Sequence, residues 1–129
     1  MSLGYYGVKF NNWFSETLAF YRPRSVIYEG SIISDNFNIE EARKQFGMDA
    51  LCETVCEMHH IPCRPANNST WKKLVAGNGR AKKADVKAAH AANGWHYDSA
   101  DESDAVGILL WKLHVDGIRP HNGPMFTRA

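Results

Sequence analysis

The chain has 129 residues, 44% hydrophobic and 22% charged, with a formal net charge of +1. These are the proportions of one ordinary globular domain with a single core, and the near-zero balance removes bulk charge as an argument for a nucleic-acid partner. No run of about 18 apolar residues is present, which excludes a helical membrane span.

In chain order, Met1-Ser2-Leu3-Gly4 lacks the basic and apolar regions of a signal peptide. Phe10 to Tyr21 is predicted as an amphipathic helix, because Phe10, Trp13, Phe14, Thr17, Leu18 and Tyr21 follow the three-and-four spacing. Pro23 ends it. Ser25 to Glu29 reads as a buried strand closed by Gly30. Asn38 caps a helix running to about His59, with Glu41 placed for a capping box. Ile61 to Ala66 is a second strand, kept short or at an edge by Pro62 and Pro65. Ser69 is the expected cap of a helix from Thr70 to Ala76, and Gly77-Asn78-Gly79 makes a turn. Lys82 to Asn93 is helical, stopped by Gly94, and Ala100 to about Val115 is the last helix. The tail from Asp116, with Gly117, Pro120, Gly123 and Pro124, reads as irregular. The expected organisation is one domain over 1–115, a tail over 116–129, and an α/β architecture with parallel neighbouring strands.

Charge is unevenly distributed. Lys72, Lys73, Arg80, Lys82, Lys83 and Lys87 crowd one stretch, and Asp98, Asp101, Glu102 and Asp104 crowd the next. Lysine and arginine bind phosphates without reading bases, so the basic stretch is a candidate backbone-binding surface. Asp101 and Asp104 are three apart at a helix start and share a face, with Ala105 and Ile108 continuing the stripe toward a core. With Glu29 at a strand end, they form a candidate set of hard oxygen ligands for Mg²⁺ or Mn²⁺. Plainer roles exist for each: first-turn acids complement the helix dipole, Glu29 can be a solvated strand end, and Trp71 belongs in the core rather than under a base.

Two further patterns are given structural roles. Cys52, Cys56, His59, His60 and Cys63 are suggestive of zinc, but their spacing matches no common site. Cys52, Cys56 and His59 also share a helical face with Met48, Leu51, Val55 and Met58, so the cysteines are read as buried apolar residues. Ser69-Thr70-Trp71-Lys72 has the S-x-x-K form without its companion motifs, so Ser69 is read as a cap. An odd count of three cysteines favours a reducing, cytoplasmic setting.

Three stretches, in order, carry a resemblance: Ser25-Val26-Ile27-Tyr28-Glu29, Gly77-Asn78-Gly79-Arg80-Ala81-Lys82-Lys83, and Asp101-Glu102-Ser103-Asp104-Ala105. Together they resemble the RuvC-type Holliday-junction resolvases of the ribonuclease H-like superfamily, in particular phage and prophage members. The resemblance implies a mixed sheet flanked by helices, and an endodeoxyribonuclease that cuts branched DNA in recombination and repair. It also implies Mg²⁺ or Mn²⁺ as cofactor, 5′-phosphate and 3′-hydroxyl ends, and a homodimer. It assigns metal binding to Glu29, Asp101 and Asp104, and a role near the scissile phosphate to Lys83, or to Lys82 if the register slips by one. The family opens with a strand bearing a further aspartate, whereas here no Asp precedes Asp35. The expectation is therefore either a fold truncated at its N-terminus or a degenerate relative, with reduced or absent activity. An open sheet edge would pair with a second copy, using Gly4 to Val8.

Overall fold

The computed structural model describes residues 1–32 and 35–118. Pro120, Gly123 and Pro124 of the expected tail lie outside the described residues. The chain divides into two compact units, one of residues 1–26 and 30–65, the other of residues 27–29 and 66 onward.

In the first unit, α1 spans Leu3–Tyr21. It starts a full two turns before Phe10. Ser2 caps it, its Oγ accepting from the Tyr5 N–H at 3.1 Å. Arg22 closes it in the left-handed conformation (φ 46°), its N–H donating to the Leu18 carbonyl. The expected strand exchange through Gly4 to Val8 is corrected by this helix: the backbone donors of that segment from Tyr6 onward are engaged within α1, leaving no strand edge to pair. Phe14 and Leu18 form the buried stripe, while Trp13 and Tyr21, expected beside them, are exposed. Strand β1 is Val26–Glu29 and helix α2 is Ile39–Met58. The Asn38 side chain accepts from Glu40 N–H at 2.8 Å, an Asn cap in place of the expected box with Glu41. α1 packs along α2, which buries Cys52, Val55 and Cys56. Strand β2 is Cys63–Ala66.

β1 and β2 make a two-stranded parallel sheet, and the described residues contain no other strand. The chain is mostly helical. This overturns the expected ribonuclease H-like fold with its mixed sheet. Alternation of helix and strand along the sequence was correctly legible, but two strands of four residues cannot form a layer that helices flank on both faces.

The second unit is a three-helix cluster: α3 (Asn68–Ala76), α4 (Lys83–Ala92) and α5 (Ala100–Val115), each packed on the other two. Asn67, not Ser69, caps α3, its Oδ1 accepting from Thr70 N–H at 3.1 Å. Ser69 sits inside the helix and donates its Oγ–H to the same oxygen at 2.8 Å. Gly77 ends α3 at φ 77°, a conformation that a residue with Cβ adopts at a cost. The Asp85 carboxylate accepts from Lys82 N–H at the start of α4. Ser99 Oγ accepts from Glu102 N–H at the start of α5.

The core of this unit is Ala66, Trp71, Val75, Ala81, Val86 and Ile108, with Ile27 of β1, Ala89 and Trp111 packed around it. Trp71 is 0% exposed. Its ring packs against α5 at Gly107, where a Cβ would stand 2.5 Å from one ring carbon and 2.8 Å from another. Gly107→Ala is therefore expected to destabilise. Overpacking costs about 1–3 kcal/mol, and the gain in helix propensity returns at most about 1 kcal/mol. A urea midpoint that falls checks this; an unchanged or raised midpoint would show that the ring yields freely.

Candidate functional site

The second unit places each acidic candidate through a different device. Ile27 anchors β1 in the core, which leaves Glu29 two residues on, at the exposed strand end. Ser99 fixes the first turn of α5, so Asp101 and Asp104 are displayed one turn apart. Their surroundings differ sharply. The Asp101 side chain is 96% exposed and that of Asp104 only 6%. The buried stripe of α5 is Ser103, Asp104, Gly107, Ile108 and Leu110. Ala105, expected to continue it, is exposed.

A buried carboxylate needs a partner. Asp104 has Lys83, whose Nζ donates to Asp104 Oδ2 at 3.3 Å and lies 3.9 Å from Asp101 Oδ1. The bond to Asp104, and then that carboxylate's charge, raise the Lys83 pKa. Glu29 joins the same electrostatic group. Its pKa is held above the ordinary 4.5 first by loss of hydration around the carboxyl, then by the negative charge of Asp104. Lys83 and Lys72 pull it back, and Asp101 adds a smaller push upward. The residue as a whole is exposed, yet the carboxyl itself is crowded enough for this to outweigh the two lysines. The structure therefore brings Asp101, Asp104, Lys83 and Lys72 within electrostatic reach of Glu29.

The sign of the Glu29 shift makes a pH prediction. The folded state holds this proton more tightly than the unfolded chain, so Glu29 favours folding below its unfolded pKa. That contribution is lost as pH rises through the raised folded value. Glu29→Gln should therefore be more stable than the wild type at neutral pH, with the difference vanishing toward pH 4. Urea titrations of both proteins across that range check it; a variant less stable than the wild type at pH 7 contradicts it.

Of the basic candidates, Lys73, Arg80, Lys82, Lys83 and Lys87 are exposed and Lys72 is half-buried. Lys72 stands over the buried Trp71 ring, Nζ 5.7 Å from its centroid. Trp71 is thereby a core residue and not a base-stacking platform. The Asn78 side chain accepts from Arg80 N–H at 2.9 Å. Gly79 brings the turn against Ser69, whose carbonyl oxygen would lie 3.1 Å from an added Cβ.

One feature near the acids escaped sequence reasoning. His90 of α4 is fully buried, and its Nε2 meets the Ser103 carbonyl at 2.9 Å, pinning the residue before Asp104. Among the described residues, His90 Nδ1 and Ser103 Oγ are buried without a hydrogen-bond partner. The pattern of apolar residues on α4 could have flagged His90, since it falls four residues after Val86. In the first unit, Cys52, Cys56 and Cys63, read from the sequence as buried apolar residues rather than as a zinc site, bring all three Sγ atoms within 4.8 Å of one another.

Three carboxylates of this kind are hard oxygen donors suited to Mg²⁺ or Mn²⁺. Among the described residues, however, the group whose donor atoms lie close enough together for one ion is Cys52, Cys56 and Cys63 and not these carboxylates. The chain matches no protein-family model, and no curated protein matches it. No helix among the described residues is long and apolar enough to cross a membrane.

Proposed function

We propose that this chain is a divalent-metal-dependent endodeoxyribonuclease acting on branched DNA, of the Holliday-junction resolvase type, working as a homodimer. The supporting observation is that Asp104 and Asp101 share the ammonium of Lys83 and that Glu29 lies within electrostatic range of all three. In this reading Glu29 and Asp104 hold Mg²⁺ or Mn²⁺, with the exposed Asp101 as a third ligand. The ion supplies an activated water and charge neutralisation at the phosphate. Lys83 offers a fixed positive charge for a phosphate oxygen. Lys72, Lys73, Arg80, Lys82 and Lys87 bind the DNA backbone.

One observation favours a second reading, a nucleic-acid-binding or assembly module without catalysis. Lys83 already serves as counter-ion to Asp104 and Asp101, so the acids are partly neutralised without metal. A four-way-junction assay separates the two. Nicking in Mg²⁺ or Mn²⁺ that EDTA abolishes supports the nuclease. Salt-sensitive binding with no nicking in either ion supports the module and removes the nuclease.

A further inference from the structure

Packing alone explains two of the three cysteines. Cys52 and Cys56 are one turn apart on α2 and share the face that α2 buries. It does not explain the third. After α2, the N–H groups of His59 and Ile61 both bond to the Cys56 carbonyl, at 3.1 and 2.9 Å. His60 takes a left-handed conformation (φ 59°). The chain folds back over the helix end, and β2 opens with Cys63, whose Sγ lies 3.8 Å from Cys52 Sγ. A hydrophobic stripe has no need to gather sulfur from a second element onto the same point.

The spacing of these atoms is informative. A disulfide requires about 2.05 Å, so 3.8 Å is a non-bonded separation. Zinc binds thiolate at about 2.3 Å, and the edge of a tetrahedron with that radius is about 3.8 Å. The remaining pairs lie within 4.8 Å, at most about 1 Å beyond this edge. Cys52 and Cys56 are buried while Cys63 is half-buried, which leaves one side of the cluster open.

We propose that Cys52, Cys56 and Cys63 form a three-thiolate site for Zn²⁺, with the fourth position taken by a ligand from solvent. Soft sulfur donors select such an ion over Mg²⁺, so this site is chemically separate from the carboxylates of the other unit. On binding, three S–H bonds break and three Zn–S bonds form. Three protons go to the buffer, and the cluster passes from neutral to a net charge of −1, which the open side leaves in contact with water. Without the ion, burial holds the Cys52 and Cys56 thiols protonated. It raises the Cys52 pKa, with Cys63 adding to the effect, and pushes Cys56 up to about 12.

The test uses the full chain, stripped with chelator under reductant and then dialysed against Zn²⁺. About one zinc per chain is expected after gel filtration, with Co²⁺ giving a thiolate-to-metal charge-transfer band in the near ultraviolet. Cys52→Ser and Cys63→Ser should each lose both signals. Zinc retained equally by these variants, or no retention by the wild type, overturns the site. Should the serine variants fail to fold, the wild type alone decides. Co²⁺ binding without a charge-transfer band overturns the proposal, as do thiols that react with a disulfide reagent equally fast with and without Zn²⁺. The band together with metal-protected thiols sustains it.

Discussion

Replacing Trp71 with alanine is expected to lower the unfolding free energy by about 3–5 kcal/mol. The side chain is fully buried at the centre of the α3–α4–α5 cluster, touching the core from Ala66 to Ile108. Its removal also strips Asn68 Oδ1 of the indole N–H that donates to it at 3.0 Å. Against a total stability of about 5–15 kcal/mol for a domain of this kind, the loss is large enough to populate unfolded chain at 37 °C. Urea unfolding followed by far-ultraviolet circular dichroism measures it. A loss below about 1 kcal/mol, the range of a surface substitution, would mean that the ring is not the keystone its burial indicates. Trp71→Phe should recover part of the loss, because most of the apolar area returns.

On the proposed nuclease reading, Asp104→Asn is expected to reduce divalent-dependent junction cleavage by roughly 10²–10³-fold, the scale for losing one preorganised electrostatic group, while the protein remains folded. Asparagine keeps the shape of the side chain and an oxygen for the Lys83 ammonium, so the first turn of α5 is retained. Lys83→Met makes the complementary prediction. On that reading, Lys83 and a bound cation would compete for the same carboxylate oxygens. Without Lys83, half-maximal Mg²⁺ should fall by about fivefold, the modest worth of an exposed ion pair, while the maximal rate also falls. Cleavage by Asp104→Asn at the wild-type rate would remove Asp104 from the chemistry. A Lys83→Met protein requiring more Mg²⁺ would show that the ammonium helps to hold the ion's surroundings rather than competing with it.

What was legible in the sequence depended on range. α5 was placed at its observed bounds because Ala100 to Val115 carries both a periodic apolar face and acids in the first turn. α2 and both strands were found within two residues or so, because Asn38, Gly30 and the prolines punctuate them. The first two turns of α1 were missed because Gly4, Gly7 and the adjacent Tyr5 and Tyr6 break the apolar period, and the cap that starts the helix is a single hydroxyl on Ser2. The architecture was misjudged for another reason: strand length and number are tertiary outcomes, and the order of elements does not specify them. At the candidate site, Glu29, Asp101, Asp104 and Lys83 could be named from their positions at element ends and from the resemblance. The use of Lys83 as counter-ion to Asp104 could not, since the partners are 21 residues apart. The three cysteines were visible together in the sequence but were set aside because their spacing matches no common site. That the strand returns Cys63 onto the buried face of α2 is a tertiary outcome that spacing does not show.

The contact between Trp71 and Gly107 restricts how this chain can change. The two positions, on different helices, share one allotment of space, so neither drifts alone. A methyl group at 107 becomes tolerable once a smaller ring stands at 71, and a sequence with both substitutions should be fitter than either single one would suggest. Homologues, sampled widely, should show these positions varying as a pair: a wide aromatic with a bare backbone, or a modest side chain on each.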